Sequence, residues 1–97
     1  MTVLMTLRVS ADPKAVEDTP SDVLQAIGEK AKSLGATQHH FYGSDTEVFV
    51  VDEWPDEATF QQFFDSTPEI KDMMDRAGAG QPDISFWHHL DVDDDIG

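Results

Sequence analysis

Eight residues, EVFVVDEW at positions 47–54, leave this chain little choice of fold. Successive side chains of a strand point to opposite faces, and the run Val48–Val51 is apolar on both. Such a strand is covered on both sides and belongs at the centre of a sheet. The other strands follow from pattern. In TVLMTLRVS, Val3, Met5, Leu7 and Val9 share one face, and Leu4, Thr6 and Arg8 the other. ATQHHFYG and EVFVVDEW, joined by GSD, read as a hairpin, and DISFWHHLDV as a last strand.

Two helical regions separate the strands. From Ser21, the residues Val23, Ile27, Ala31 and Leu34 recur at helical spacing, with Ser21 placed to cap the start and Gly35 to end the helix. Before it, Asp12 and Pro13 predict a short turn of helix that Pro20 interrupts. The segment PDEATFQQFFDSTPEIKDMMDRAG starts at Pro55 and Asp56, breaks at Pro68 and stops at Gly78. Its apolar face carries Phe60, Phe63 and Phe64, then Ile70, Met73 and Met74.

The order is therefore βαββαβ. With right-handed crossovers it predicts a four-stranded antiparallel sheet with both helices on one face, strands one and three central. Helices on one face leave the other uncovered, although the central strands are apolar on both. A homodimer packed sheet against sheet is the simplest cover. Ninety-seven residues suit one domain, expected over 1–91, with 92–97 as an acidic tail.

The chain carries 20 acidic residues against 6 basic ones, a net charge of −14. A phosphate backbone or an anionic membrane surface would be repelled, so neither nucleic acid nor membrane is an expected partner. The N-terminal stretch lacks the pattern of a secretion signal, which predicts a cytoplasmic protein. Cysteine is absent, excluding disulfides and thiolate chemistry. The tail DVDDDIG lacks the Gly-x5-Glu that would continue a calcium-binding loop.

The stretch VVDEWPDEATFQQFFDSTPEI resembles the antibiotic biosynthesis monooxygenase-like family. The shared features are an acidic-Trp strand end, a short turn, an acidic-Ala-x-Phe helix start and a Ser-x-Pro break. The resemblance covers roughly residues 1 to 91 and implies an α+β, ferredoxin-like chain that forms a dimeric α+β barrel. It also implies that Trp54, at the exit of the third strand, lines a substrate cleft. Two departures are evident. The histidine that many members carry midway along the second helix is Phe63 here. The Asn, Trp and His of haem-degrading members fall at Thr6 or Leu7, at Phe63 and near Met73, so no haem is expected.

The four histidines form two adjacent pairs, His39–His40 and His88–His89. On a strand, neighbours face opposite ways, so neither pair chelates one metal, and no metal site is expected. Only across a subunit boundary could opposite sheet edges bring the pairs together. The ordinary role of such histidines is at an interface, with one ring nitrogen hydrogen-bonded. Asp52 and Glu53 alternate likewise; one of them is expected to support the turn before Asp56. The aromatic residues expected at a pocket are Trp54, Phe60, Phe63 and Trp87.

Two functions fit. The first is binding of a small apolar or aromatic ligand in a cleft between sheet and helix. The second is cofactor-independent monooxygenation of an electron-rich aromatic, polyketide- or quinol-like, with one of His39, His40, His88 and His89 as proton acceptor and Tyr42 as the nearest phenol. Neither needs a cofactor. Nothing in the sequence demands catalysis, so binding is the first reading.

The crowded carboxylates repel one another most at low ionic strength. Moderate sodium chloride should therefore raise the melting temperature; a flat or falling melting curve series would contradict this.

Overall fold

A computed structural model describes residues 2–97. The elements run β1 (Val3–Ser10), α1 (Pro13–Glu17), α2 (Ser21–Ser33), β2 (Gln38–Gly43), β3 (Glu47–Trp54), α3 (Glu57–Asp65), α4 (Pro68–Arg76) and β4 (Asp83–Trp87). The sheet order is β2-β3-β1-β4, every pair antiparallel, with the two most apolar strands at its centre.

Alternation sorts the side chains of the sheet into two sets. One row across the inner face reads His39, Asp52, Met5 and Phe86, and the next Phe41, Val50, Leu7 and Ile84. Met5, Leu7, Val9, Val48 and Val50 are buried there, beneath Ile27 and Ala31 of α2, Phe60 and Phe63 of α3, and Met73 of α4. The outer rows read Gln38, Glu53, Leu4, Trp87 and Tyr42, Phe49, Arg8, Asp83. Tyr42, Phe49 and Trp87 are exposed on that face.

Local chemistry fixes the element ends. The Asp12 side chain accepts from Lys14 N–H at 3.0 Å and starts α1, with Pro13 in its first turn. Asp56 accepts from Thr59 N–H at 2.7 Å and starts α3. The Thr59 hydroxyl and N–H bonds hold the Asp56 carboxyl below its ordinary range. Ser21 does not cap α2: Pro20, extended at φ −54°, precedes the helix and Ser21 is already helical. Gly35 closes α2 at φ +104°, where a Cβ would also stand 2.7 Å from Pro55 Cγ. Only glycine meets both demands. The second helical region divides at Pro68, as its sequence predicts: Pro68 cannot continue α3 and begins α4.

The last strand is shorter than the sequence pattern suggests. Its pairing with β1 stops at Trp87 and Leu4, one residue before β1 itself begins at Val3. His88 and His89 consequently lie beyond the sheet rather than on its two faces.

Trp54 is completely buried, its ring 5.0 Å from that of Phe63 and 5.8 Å from that of Phe60. Trp54→Ala should destabilise the fold by about 3–5 kcal/mol. An unchanged denaturation midpoint in urea would show that the site collapses without cost.

Candidate functional site

The inner face of the sheet and the helices above it do not close completely. A cavity of about 40 Å³ remains, floored by Met5, Leu7 and Val50 and roofed by Phe60, Phe63 and Met73. Its two polar side chains are His39 and Asp52, from neighbouring strands β2 and β3. As it stands the cavity has room for a few water molecules. Val16, Phe41 and Val48 are shared with a surface groove beside α1, and Phe64, Ile70 and Met74 with a second groove between the helices α3 and α4 and the loop before β4.

The polar pair is built by hairpin register. His39 stands directly opposite Asp52, and their side chains meet with His39 Nδ1 at 2.7 Å from Asp52 Oδ1. Two residues on, and so on the same face, the Trp54 indole N–H donates to Asp52 Oδ2 at 3.1 Å. Asp52 is 1% exposed. A buried carboxylate is tolerated only when its lone pairs are met, and here each oxygen faces a ring nitrogen. Phe41 packs its ring at 78° to the His39 imidazole with centroids 5.1 Å apart, which restricts the rotation of the histidine.

The expected site residues separate sharply. His39, Phe60 and Phe63 come together around the cavity, and Trp54 backs it through Asp52. His40 and Tyr42 lie on the opposite face of the sheet, their rings 6.5 Å apart. Tyr42 therefore does not meet His39. Trp87 is on that outer face too, donating to Thr6 Oγ1 at 2.8 Å and 55% exposed, so it lines no part of the cavity. The physical reason is parity: Trp87 pairs with Leu4, an outer residue of β1. His89 sits in the C-terminal segment, 2.7 Å from Asp95 and largely exposed. No group of three or more His, Asp or Glu side chains among the described residues is arranged to hold a metal ion.

One of Asp52 and Glu53 was expected to support the turn before α3, and neither does: that task falls to Asp56, while Glu53 points outward and accepts from Thr37 Oγ1 at 2.5 Å. The usable signal was the hairpin: pairing Gly43 with Val48 puts His39 against Asp52 four steps along.

No family model matches the chain, and no curated protein sequence matches it significantly. Solved structures do match, over nearly the whole length. A candidate antibiotic biosynthesis monooxygenase from Deinococcus radiodurans superposes with a TM-score of 0.68 at 8% identity, covering 98% of this chain and 99% of that one. SnoaB from Streptomyces nogalater, a cofactor-independent oxygenase, gives 0.65 at 12% identity, with 97% and 98% covered. This chain shares the α+β, ferredoxin-like fold of these two proteins. A protein of unknown function from Nitrosomonas europaea shares it, with a TM-score of 0.62 at 19% identity over 99% and 96%. At these identities the likeness is one of fold, and this fold carries unrelated activities. No helix among the described residues is long and apolar enough to cross a membrane.

The network predicts an asymmetry between two isosteric changes. Asp52→Leu strands the Trp54 indole N–H and should cost about 1–3 kcal/mol, whereas Asp52→Asn keeps an acceptor for it and should cost less. Equal urea midpoints for the two variants would show that the indole bond contributes nothing.

Proposed function

We propose that this protein binds a small, largely apolar or aromatic molecule between the inner sheet face and helices α3 and α4. The observation that carries this reading is the cavity, apolar except for one histidine–carboxylate pair at its wall. Few polar groups on apolar walls is the usual composition of a small-molecule site. The space is small, so a ring must displace side chains. Met73 and Met74 are the ones suited to move, since unbranched thioethers repack at little cost.

The homodimer belongs to the same proposal. Leu4, Phe49, Val51 and Trp87 lie on the sheet face opposite the helices, flanked by the Arg8–Glu47 pair with Nε at 2.8 Å from Oε2. A second copy of the chain, with the same apolar rows, covers this face and buries at least about 2,000 Å² in total. The acidic composition that argues against nucleic acid favours solubility, and a cytoplasmic location belongs to the same proposal.

One observation favours a second reading, cofactor-independent monooxygenation of an electron-rich aromatic. His39 has a buried carboxylate behind it and an apolar cavity beside it, the arrangement of a general base. In that reaction His39 takes the proton of a ring hydroxyl, and the resulting anion supplies the electrons to oxygen.

Titration with single-ring and fused two-ring phenols, followed by tryptophan fluorescence, checks the binding. Saturable quenching is expected, and Val50→Phe, which fills the cavity floor, should abolish it while the protein stays folded. Quenching that ignores Val50→Phe would place the ligand elsewhere. Oxygen uptake that is lost in His39→Ala would decide for the second reading.

Sedimentation at micromolar concentration should give a dimer mass, and Phe49→Asp should shift it to monomer. A clean monomer for the unaltered chain would contradict the proposed assembly.

A further inference from the structure

We infer that Asp52 is a positioning residue: gripped by the Trp54 indole, it fixes His39 in the tautomer that leaves Nε2 as an acceptor. The cavity then selects ring molecules that carry an O–H or N–H. This rests on the binding reading above and adds the rule by which the site discriminates.

The argument is one of donors and acceptors. An ionised carboxylate only accepts, and an indole N–H only donates. Trp54 Nε1 occupies Asp52 Oδ2 at 3.1 Å, which leaves Oδ1 for His39 Nδ1 at 2.7 Å. Nδ1 therefore carries the hydrogen. In a neutral imidazole the other nitrogen is then a bare lone pair. Nε2 has no hydrogen-bond partner among the described residues, and it belongs to a side chain that lines both the cavity and a surface groove between α2 and the start of β2. His39 keeps this setting because its ring is wedged edge-on against Phe41 and its side chain is only 20% exposed.

The indole makes the device reversible by a single atom. In Asp52→Asn, the Trp54 N–H must meet the amide oxygen, because it has nothing to accept with. The amide nitrogen is thereby turned toward His39 Nδ1 and donates to it. The hydrogen moves to Nε2, and the face offered to a ligand changes from acceptor to donor. Neither shape nor volume changes.

Two readouts test this, both on the full-length protein. Long-range proton–nitrogen spectra at about pH 8.5, where an ordinary histidine is neutral, report the tautomer, with His39→Gln assigning the signal. The Nδ1–H form is expected in the unaltered chain and the Nε2–H form in Asp52→Asn. Finding the Nε2–H form in the unaltered chain overturns the inference, and that spectrum needs no variant to fold.

Affinities for phenol, benzaldehyde and toluene give the second readout: a donor, an acceptor and neither, of nearly equal size. Asp52→Asn should lower the phenol-to-toluene affinity ratio about tenfold, the worth of one hydrogen bond, and raise the benzaldehyde-to-toluene ratio. Loss of all three affinities in proportion would mean that Asp52 is merely structural, and would overturn the inference. If none of the three binds the unaltered chain, the binding reading fails and the selectivity rule falls with it, while the tautomer spectra still decide how His39 is set.

Discussion

A carboxylate almost without solvent, Asp52, ties the site to the fold. Left alone in an apolar interior it would be strongly unfavourable, so the structure around it is constrained to provide a donor for each oxygen. One donor comes from its own strand two residues on, where parity alone guarantees the same face. The other comes from the neighbouring strand, where the hairpin register sets His39 opposite it. A slip of one residue between β2 and β3 would turn His39 outward and set Gln38 or His40 against Asp52 in its place. The observed register is the one that furnishes the cavity with the His39–Asp52 pair.

The same parity explains why six residues of similar type have such different surroundings. His39 and His40, Asp52 and Glu53, and Trp54 and Trp87 separate onto the two faces of one sheet. The inner members are buried or nearly so under α3 and α4, and the outer members lie on the surface that no helix covers. Cavity chemistry and the proposed subunit contact are consequently carried by adjacent residues of the same strands.

Much of the fold was legible in the residues. Val48–Val51 identified a central strand, Pro68 the break between α3 and α4, and Asp56 and Gly35 the ends of helices. These features are local: each depends on a few neighbouring residues. The extent of β4 was not legible, because it depends on pairing with the start of β1, some eighty residues away. The site was half legible. His39, Phe60 and Phe63 were among the expected residues, and alternation correctly separated His39 from His40. Trp87 was misplaced because its face depends on the pairing of β4 with β1, and the pairing of Asp52 with His39 was not foreseen because it is fixed by hairpin register rather than by sequence proximity.

The central claim is that the Trp54 indole N–H is sealed in the core by its bond to Asp52, and hydrogen exchange at that one group addresses it most directly. In deuterated buffer the indole proton should persist as long as the slowest backbone amides of β1 and β3, exchanging only when the whole domain unfolds. Exchange orders of magnitude faster than those amides, in protein that is otherwise fully folded, would mean that the Asp52 carboxylate is open to water and that neither the cavity nor the setting of His39 is as described.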